Sequence, residues 1–228
     1  MTLKISEIFE SVQGEGVNIG KPSVFLRTAL CNLTCNWCDT KYTWDWKNYD
    51  YATEVKEMSI HDIKDQIEKS NKNHLVITGG EPLLQQDGLS KLLDELDSGY
   101  FVEVETNGTI IPNNKLQDRV SQWNVSPKLS TSGNRFGTYE KDSCYRFFAS
   151  LKNSYFKYVV KNENELQEVE SLIDKYNIQR SRVLLMPQAT NKEELYSRGP
   201  LIKTLSSKHG LLYTTRLHIE KWDNQRGR

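Results

Sequence analysis

Three cysteines, Cys31, Cys35 and Cys38, fall within eight residues, and a fourth, Cys144, stands far from them. Their spacing is Cys-x3-Cys-x2-Cys in the run Phe25-Leu-Arg-Thr-Ala-Leu-Cys31-Asn-Leu-Thr-Cys35-Asn-Trp-Cys38-Asp-Thr40. Three thiolates can hold three irons of a 4Fe–4S cluster and leave the fourth iron open, whereas a cluster used only to pass electrons normally takes four. The open iron could then bind and activate a substrate. A structural zinc ion is the competing reading, but it usually wants two close pairs of ligands. His61, His74, His209, His218 and Cys144 are the available fourth ligands, and none is close in sequence.

Other segments carry polar chemistry. Thr78-Gly79-Gly80-Glu81-Pro82 follows a short apolar run, and paired glycines permit close backbone approach. Val104-Glu105-Thr106-Asn107-Gly108 ends a second run in a strong turn pair. In Ser126-Pro127-Lys128 the proline biases Ser126 away from helix, which could hold its hydroxyl towards a ligand. Near the start, Glu7-Ile8-Phe9-Glu10-Ser11-Val12-Gln13-Gly14-Glu15-Gly16 reads as a polar, glycine-broken loop in which Gln and Glu could recognise the amide and amino groups of a heterocycle. Arg27 lies in an otherwise apolar strand and needs an anionic partner, either a structural or a substrate carboxylate. Thr40 is a weak ligand for a hard divalent ion or else a helix cap. Near the end, Arg216-Leu217-His218 closes the last apolar run, and His218 could hydrogen-bond a ligand.

The elements that must position these residues alternate. Strands are expected at Val24–Leu30, Leu75–Thr78, Phe101–Glu105, Trp123–Val125, Phe156–Val160, Val183–Met186 and Leu211–Leu217. A capping box at Ser59 opens a helix through Glu68, and helical periodicity runs over Leu84–Leu96 and Glu163–Tyr176. Asn191–His209 is helical in character, with a break expected at Gly199-Pro200. Alternation implies parallel strands with crossover helices, whose active sites gather at the carboxyl ends of the strands. One domain over residues 1–228 is expected, since no linker or repeat interrupts the chain.

Composition narrows the partners. Thirty basic residues balance thirty acidic ones, which argues against a broad grip on nucleic acid. No apolar run approaches the ~20 residues that span a bilayer, and no secretory signal is read at the N-terminus, so a cytoplasmic setting is expected.

The cysteine spacing, with the aromatic Trp37 before its last member, resembles the signature of the radical S-adenosylmethionine (SAM) enzymes, and Thr78–Pro82 is similar to their GGE motif. The resemblance implies a 4Fe–4S cluster on Cys31, Cys35 and Cys38, with SAM chelating the open iron and split to a 5′-deoxyadenosyl radical. It implies a shortened, partial (β/α) barrel of mostly parallel strands. Trp37, Cys38, Asp39, Gly80, Glu81, Ser126, Pro127 and Lys128 would bind the cofactor.

Taken with Ile8–Gly16, Phe25–Thr28, Cys38–Thr40 and the closing Arg-Leu-His, the chain resembles the 7-carboxy-7-deazaguanine synthase family nearly end to end, most densely in its first 110 residues. That resemblance implies ring contraction of 6-carboxy-5,6,7,8-tetrahydropterin with loss of ammonia, on the way to queuosine or archaeosine. It implies that Gln13, Gly14, Glu15, Arg27 and Thr78 contact the pterin, that Mg2+ binds at Thr40, and that residues 225–228 close over the substrate. A homodimer and a reducing flavodoxin or ferredoxin-type partner are likewise implied. Two alternatives stay open on the residues alone: a radical SAM activase acting on a partner protein, and a zinc-binding module without enzymatic activity.

Overall fold

The computed structural model describes residues 1–227. Nine strands form one sheet: β1 (Thr2–Val12), β2 (Pro22–Thr28), β3 (Lys56–Ser59), β4 (His74–Gly79), β5 (Phe101–Thr106), β6 (Gln122–Val125), β7 (Ser154–Val160), β8 (Val183–Pro187) and β9 (Leu212–Tyr213). Their spatial order is β3-β1-β2-β4-β5-β6-β7-β8-β9. From β2 onward every pairing is parallel, while β1 is antiparallel to both β2 and β3. The helices are α1 (Tyr51–Glu54), α2 (Ile60–Lys69), α3 (Gln86–Glu95), α4 (Asn114–Arg119), α5 (Asp142–Ser150), α6 (Glu163–Tyr176), α7 (Lys192–Lys208) and α8 (Leu217–Trp222). This is the expected open α/β sheet of partial-barrel type.

Period-two alternation sorts the sheet's two faces. Val24, Leu26, Leu75, Ile77, Val102, Val104, Trp123, Val125, Phe156, Tyr158, Val183 and Leu185 all belong to one apolar core shared with α2, α3 and α6. The intervening residues point the other way and are largely polar: Arg27, Thr78, Glu103, Glu105, Gln122, Asn124 and Lys157. The helices therefore cover the apolar face, and the concave face is left for polar groups.

The sequence reading of the N-terminus needs correcting. Residues 7–12 are strand, not a polar loop. Leu3 and Ile5 enter the core, the register shifts between Ile5 and Glu7, and Ile8 then packs on the core in their place. The bulge reverses parity, so no single alternation spans the segment. β3 is a short edge strand with little apolar content and gives almost no signal.

Two further corrections concern the end of the chain. α7 runs unbroken through Pro200. Gly199 is buried, and a β-carbon there would lie 3.4 Å from the Tyr213 hydroxyl, so the glycine serves packing against β9 and not termination. Pro200 and Tyr196, one turn earlier, are both exposed, so the backbone carbonyl that loses its donor at Pro200 lies on the solvent face. The expected strand Leu211–Leu217 shrinks to two residues, and His218 belongs to α8.

Replacing Pro200 with alanine restores a helix-interior N–H on that exposed face. We expect Pro200→Ala to raise the free energy of unfolding by about 1–3 kcal/mol, read as a higher urea midpoint with unchanged slope. An unchanged or lower midpoint would contradict this account of α7.

Candidate active site

The carboxyl ends of the parallel strands surround one cavity of about 750 Å³. Its cysteine wall begins where β2 ends. Leu30 adopts a left-handed conformation, φ 75°, which turns the chain out of the sheet. The loop after β4 is fastened to this turn by backbone bonds, Gly80 N–H to the Thr28 carbonyl at 3.1 Å and Glu81 N–H to the Leu30 carbonyl at 2.8 Å. A β-carbon at Gly79 would come within 2.1 Å of the Thr28 carbonyl oxygen, and one at Gly80 within 2.1 Å of that of Leu30. The glycine pair is what allows the two loops to touch.

Cys31, Cys35 and Cys38 are unbonded to one another and all line the cavity. Each sulfur accepts one N–H: Cys31 from the Leu33 backbone at 3.4 Å, Cys35 from Asn134 Nδ2 at 3.2 Å and Cys38 from Trp44 Nε1 at 3.4 Å. Such donors stabilise thiolates and tune the potential of a cluster. Burial pushes the Cys31 thiol up to about 12, so this sulfur is a thiol until a metal displaces its proton. Among the described residues, no three His, Cys, Asp or Glu side chains converge on a point that would hold one metal ion. The three sulfurs line one common space, which fits a cluster that takes one thiolate per iron.

Of the residues expected at the cofactor, Trp37, Cys38, Asp39, Gly80, Ser126 and Lys128 line the cavity, as does Thr40, expected at the Mg2+. Lys128 Nζ bonds the Ser126 hydroxyl at 3.0 Å and lies 5.7 Å from the centre of the Trp37 ring. Thr40 Oγ1 is 3.5 Å from the Cys38 sulfur. Glu81 and Pro127 are not part of the lining. The Glu81 carboxylate turns inward, accepting from Leu83 N–H at 3.0 Å, the Thr106 hydroxyl at 2.8 Å and Asn107 N–H at 2.7 Å. It braces the loop after β5 against the loop after β4, and any cofactor contact from this residue falls to its backbone.

The floor opposite the cysteines is charged. Gln13, Gly14, Glu15, Arg27 and Thr78, the residues expected at the pterin, meet here. Glu15 is gripped by Lys157 Nζ on one oxygen and by Arg216 Nε at 2.9 Å on the other. Arg216 also donates to Asp39 and to the Ala189 carbonyl. Burial alone would raise the Glu15 carboxyl, but Lys157 and then Arg216 outweigh it and hold it well below the usual carboxylate range. The glycine at 14 is required by His218, whose Nδ1 would lie 2.2 Å from a β-carbon there. Leu217 N–H donates to the Gly14 carbonyl at 2.8 Å and closes this contact.

Arg27 finds its structural carboxylate in Glu7, Nε to Oε2 at 2.9 Å, and stacks 5.5 Å from the Phe9 ring. Among the described residues its terminal nitrogens have no protein acceptor, and they face the cavity. Gln13 Nε2 donates to Glu103 at 2.6 Å and to Glu105 at 3.2 Å, and Thr78 donates to Glu105 at 2.8 Å. Lys157 escaped the sequence reading, although a lysine inside the apolar run Phe156–Val160 is the same kind of signal as Arg27 in its strand. Gln225, Arg226 and Gly227 reach the cavity rim, where Arg226 bonds Glu54 at 2.6 Å and lies 3.7 Å from the Tyr42 ring centre; the fourth residue of that expected closing segment, Arg228, lies outside the described residues.

Fold and cysteine-lined cavity together define a radical SAM enzyme, and the model of the radical SAM superfamily matches residues 25–120. The chain is 40% identical over 227 residues to a 7-carboxy-7-deazaguanine synthase of Pyrobaculum aerophilum, covering 99% of this chain and 97% of that protein. It is 37% identical to the synthase of Halobacterium salinarum, covering 97% and 91%. The chain belongs to the 7-carboxy-7-deazaguanine synthase family. Its fold is also that of QueE from Escherichia coli, with a TM-score of 0.71 at 24% identity over 96% of this chain and 95% of that one. Streptococcus suis SuiB, solved with S-adenosylmethionine bound, shares the core of the fold at a TM-score of 0.54 and 13% identity, over 81% of this chain and 48% of that one. A 4Fe–4S cluster and SAM are the cofactors of this class.

The floor makes the fold sensitive to acid. Burial, then the neighbouring Arg216 charge, hold the His218 imidazole down to about 4, from an ordinary 6.5. The unfolded chain binds a proton below about 6.5 that the folded chain refuses until about 4, so stability falls as pH drops through that window. We expect His218→Gln to flatten the dependence of unfolding free energy on pH between 4 and 6.5 by close to one proton, measured by urea titration at stepped pH. An unaltered slope would mean that His218 titrates normally in the folded state.

Proposed function

We propose that this chain converts 6-carboxy-5,6,7,8-tetrahydropterin to 7-carboxy-7-deazaguanine with release of ammonia, in the route to 7-deazapurine nucleosides such as queuosine. The observation that carries the reading is the pairing, in one cavity, of a three-cysteine wall with a floor that offers a fixed anion at Glu15 and open cationic nitrogens at Arg27. A cluster held by Cys31, Cys35 and Cys38, with SAM bound to it, would supply the radical chemistry that abstracts the hydrogen at C6 of the pterin.

The chain's own residues bind and orient. Glu15, held ionised by Lys157 and Arg216, accepts from the amino-pyrimidinone edge of the substrate. Arg27 pairs with the substrate carboxylate through the nitrogens that Glu7 does not use. Gln13, Gly14 and Thr78 complete the pterin contacts, with Gln13 and Thr78 fixed in place by Glu105. Trp37 with its neighbouring backbone and the Ser126–Lys128 stretch contact SAM, whose amino group meets the backbone at Gly80 and Glu81. Mg2+ is bound by Thr40 together with substrate and water oxygens, since the adjacent Asp39 is engaged by Arg216. The residues of the 225–227 rim limit entry of water. A homodimer in the cytoplasm, reduced by a flavodoxin or ferredoxin-type protein, is part of the same proposal; no described helix is long and apolar enough to cross a membrane.

The deciding experiment is anaerobic incubation of reconstituted protein with SAM, dithionite, Mg2+ and the carboxypterin, with mass analysis for the deazapurine. Its absence, with SAM cleaved and the pterin intact, would refute the substrate. Arg27→Ala is expected to weaken pterin binding by about 1.5–3 kcal/mol, or roughly 10- to 100-fold, with little change in kcat at saturation. Unchanged KM would remove Arg27 from the substrate's carboxylate.

A further inference from the structure

Strand alternation alone would send Glu7 into the apolar layer with Leu3 and Ile5. The register shift between Ile5 and Glu7 turns it instead to the concave face, directly across from Arg27 on β2. There its carboxylate gathers donors from three parts of the chain. Oε2 accepts from Arg27 Nε at 2.9 Å and from the Tyr42 hydroxyl at 3.1 Å, and Oε1 accepts from Arg226 Nε near the end of the chain. Arg226 also reaches Glu54 at 2.6 Å. The Glu7 side chain is 15% exposed and is not part of the cavity lining, so it stands behind Arg27 as seen from the cavity.

A guanidinium offers a carboxylate two approaches, the side edge through Nε and the end through its two terminal nitrogens. Glu7 occupies the side edge. The Phe9 ring, 5.5 Å from the guanidinium and itself stacked on Phe25 with ring centres 5.0 Å apart, covers one face. The plane of Arg27 is thus held at an edge and a face, and the end that remains is turned to the cavity. Attraction does not explain the arrangement. Arg27 and Arg226 are already matched by Glu7 and Glu54, so the Glu7 anion weakens the pull on an incoming carboxylate. What Glu7 contributes is direction.

We infer that Glu7 is a positioning residue: it fixes the Arg27 guanidinium end-on to the cavity and, through it, selects a pterin that carries a carboxylate at C6. The inference rests on the reading of Arg27 as the partner of the substrate carboxylate. That carboxylate is bonded to the carbon that loses its hydrogen, so a guanidinium held in one plane also fixes the reacting atom. An arginine free to turn would pair with the carboxylate from its side edge as well, and C6 would be displaced. Tyr42 and Arg226 hold the Glu7 carboxylate in turn, which ties the rim segment at 225–227 to the same group.

The test uses the holoenzyme, reconstituted without air and with SAM present, and two oxidised pterins that lack the C6 hydrogen. One is 6-carboxypterin; in the other, 6-methylpterin, a neutral methyl replaces the carboxylate. Calorimetric titration gives the ratio of their affinities. Two variants separate reach from charge. Glu7→Asp keeps the charge, which leaves Arg27 and Arg226 compensated in the folded protein, but withdraws the acceptor from Arg27 Nε by one methylene. Glu7→Gln removes the charge and keeps an acceptor oxygen at the same reach. Glu7→Asp is expected to lower the preference for 6-carboxypterin at least about tenfold and Glu7→Gln by less than about threefold, with native-like affinity for 6-methylpterin in both. In an Arg27→Ala background Glu7→Asp is expected to change the preference by less than about twofold, since the two residues act as a unit. A preference retained in Glu7→Asp, an equal loss in Glu7→Gln, a matching loss of 6-methylpterin affinity, or a full effect in the Arg27→Ala background would each overturn the inference. So would tighter binding of 6-carboxypterin by Glu7→Gln, which would make Glu7 a competitor for Arg27. A native enzyme with no preference for 6-carboxypterin would remove the carboxylate from Arg27 and the inference with it. A preference that depends on Glu7 as expected, in an enzyme that forms no deazapurine with dithionite, would refute the proposed reaction and leave the positioning role standing.

Discussion

Alternation along the parallel strands is the constraint from which the rest of the molecule follows. Each strand gives one parity of side chains to the helices and the other to the concave face. Burying Leu26, Ile77, Val104, Trp123 and Phe156 against the helices contributes roughly 1.5–3 kcal/mol per side chain relative to exposure. That apolar layer lets the opposite face carry Arg27, Glu103, Glu105 and Lys157, which would be destabilising in a conventional core. A shift of one residue in any strand would exchange the two sets, so the packing that stabilises the fold also fixes which groups face the chemistry.

The buried polar face survives because each charge has partners. Glu103, fully buried, meets Gln13, Asn18, Asn124 and His74. Glu15 has Lys157 and Arg216, and Asp39 shares the latter. Removing one member of such a set leaves another uncompensated, which costs more than the net worth of the pair. The network therefore holds its members to a single arrangement before any ligand arrives, and a pre-arranged site loses less entropy on binding.

Much of this was legible in the residues. The Cys31–Cys38 spacing and the paired glycines at 79 and 80 are local signals, and the structure gives their physical reason in the backbone contact with Thr28 and Leu30. α6 was readable to the residue, since Asn162 caps it and its apolar stripe is regular. The misses have different causes. The bulge after Ile5 hid β1 by breaking its period. Pro200 looked like a terminator because sequence does not say which side of a helix faces water. The inward turn of the Glu81 carboxylate has no local signal, for its direction is set by Thr106 and Asn107, contacts that arise only after two distant strands pair. The Lys157–Glu15–Arg216 assembly is likewise tertiary, for no local pattern links residues so far apart.

Arg216 bonds Glu15 across 201 positions, and Leu217 bonds Gly14 across a similar span. During translation the first two-thirds of the sheet can pair while α8 is still in the ribosome, because domains order from the amino end as they emerge. Glu15, already paired with Lys157, then waits for its second cation until Arg216 is released. Closure of the binding floor thus waits on a segment synthesised about two hundred residues after Glu15, and a nascent polypeptide can complete much of its hydrophobic layer before it is able to hold a substrate.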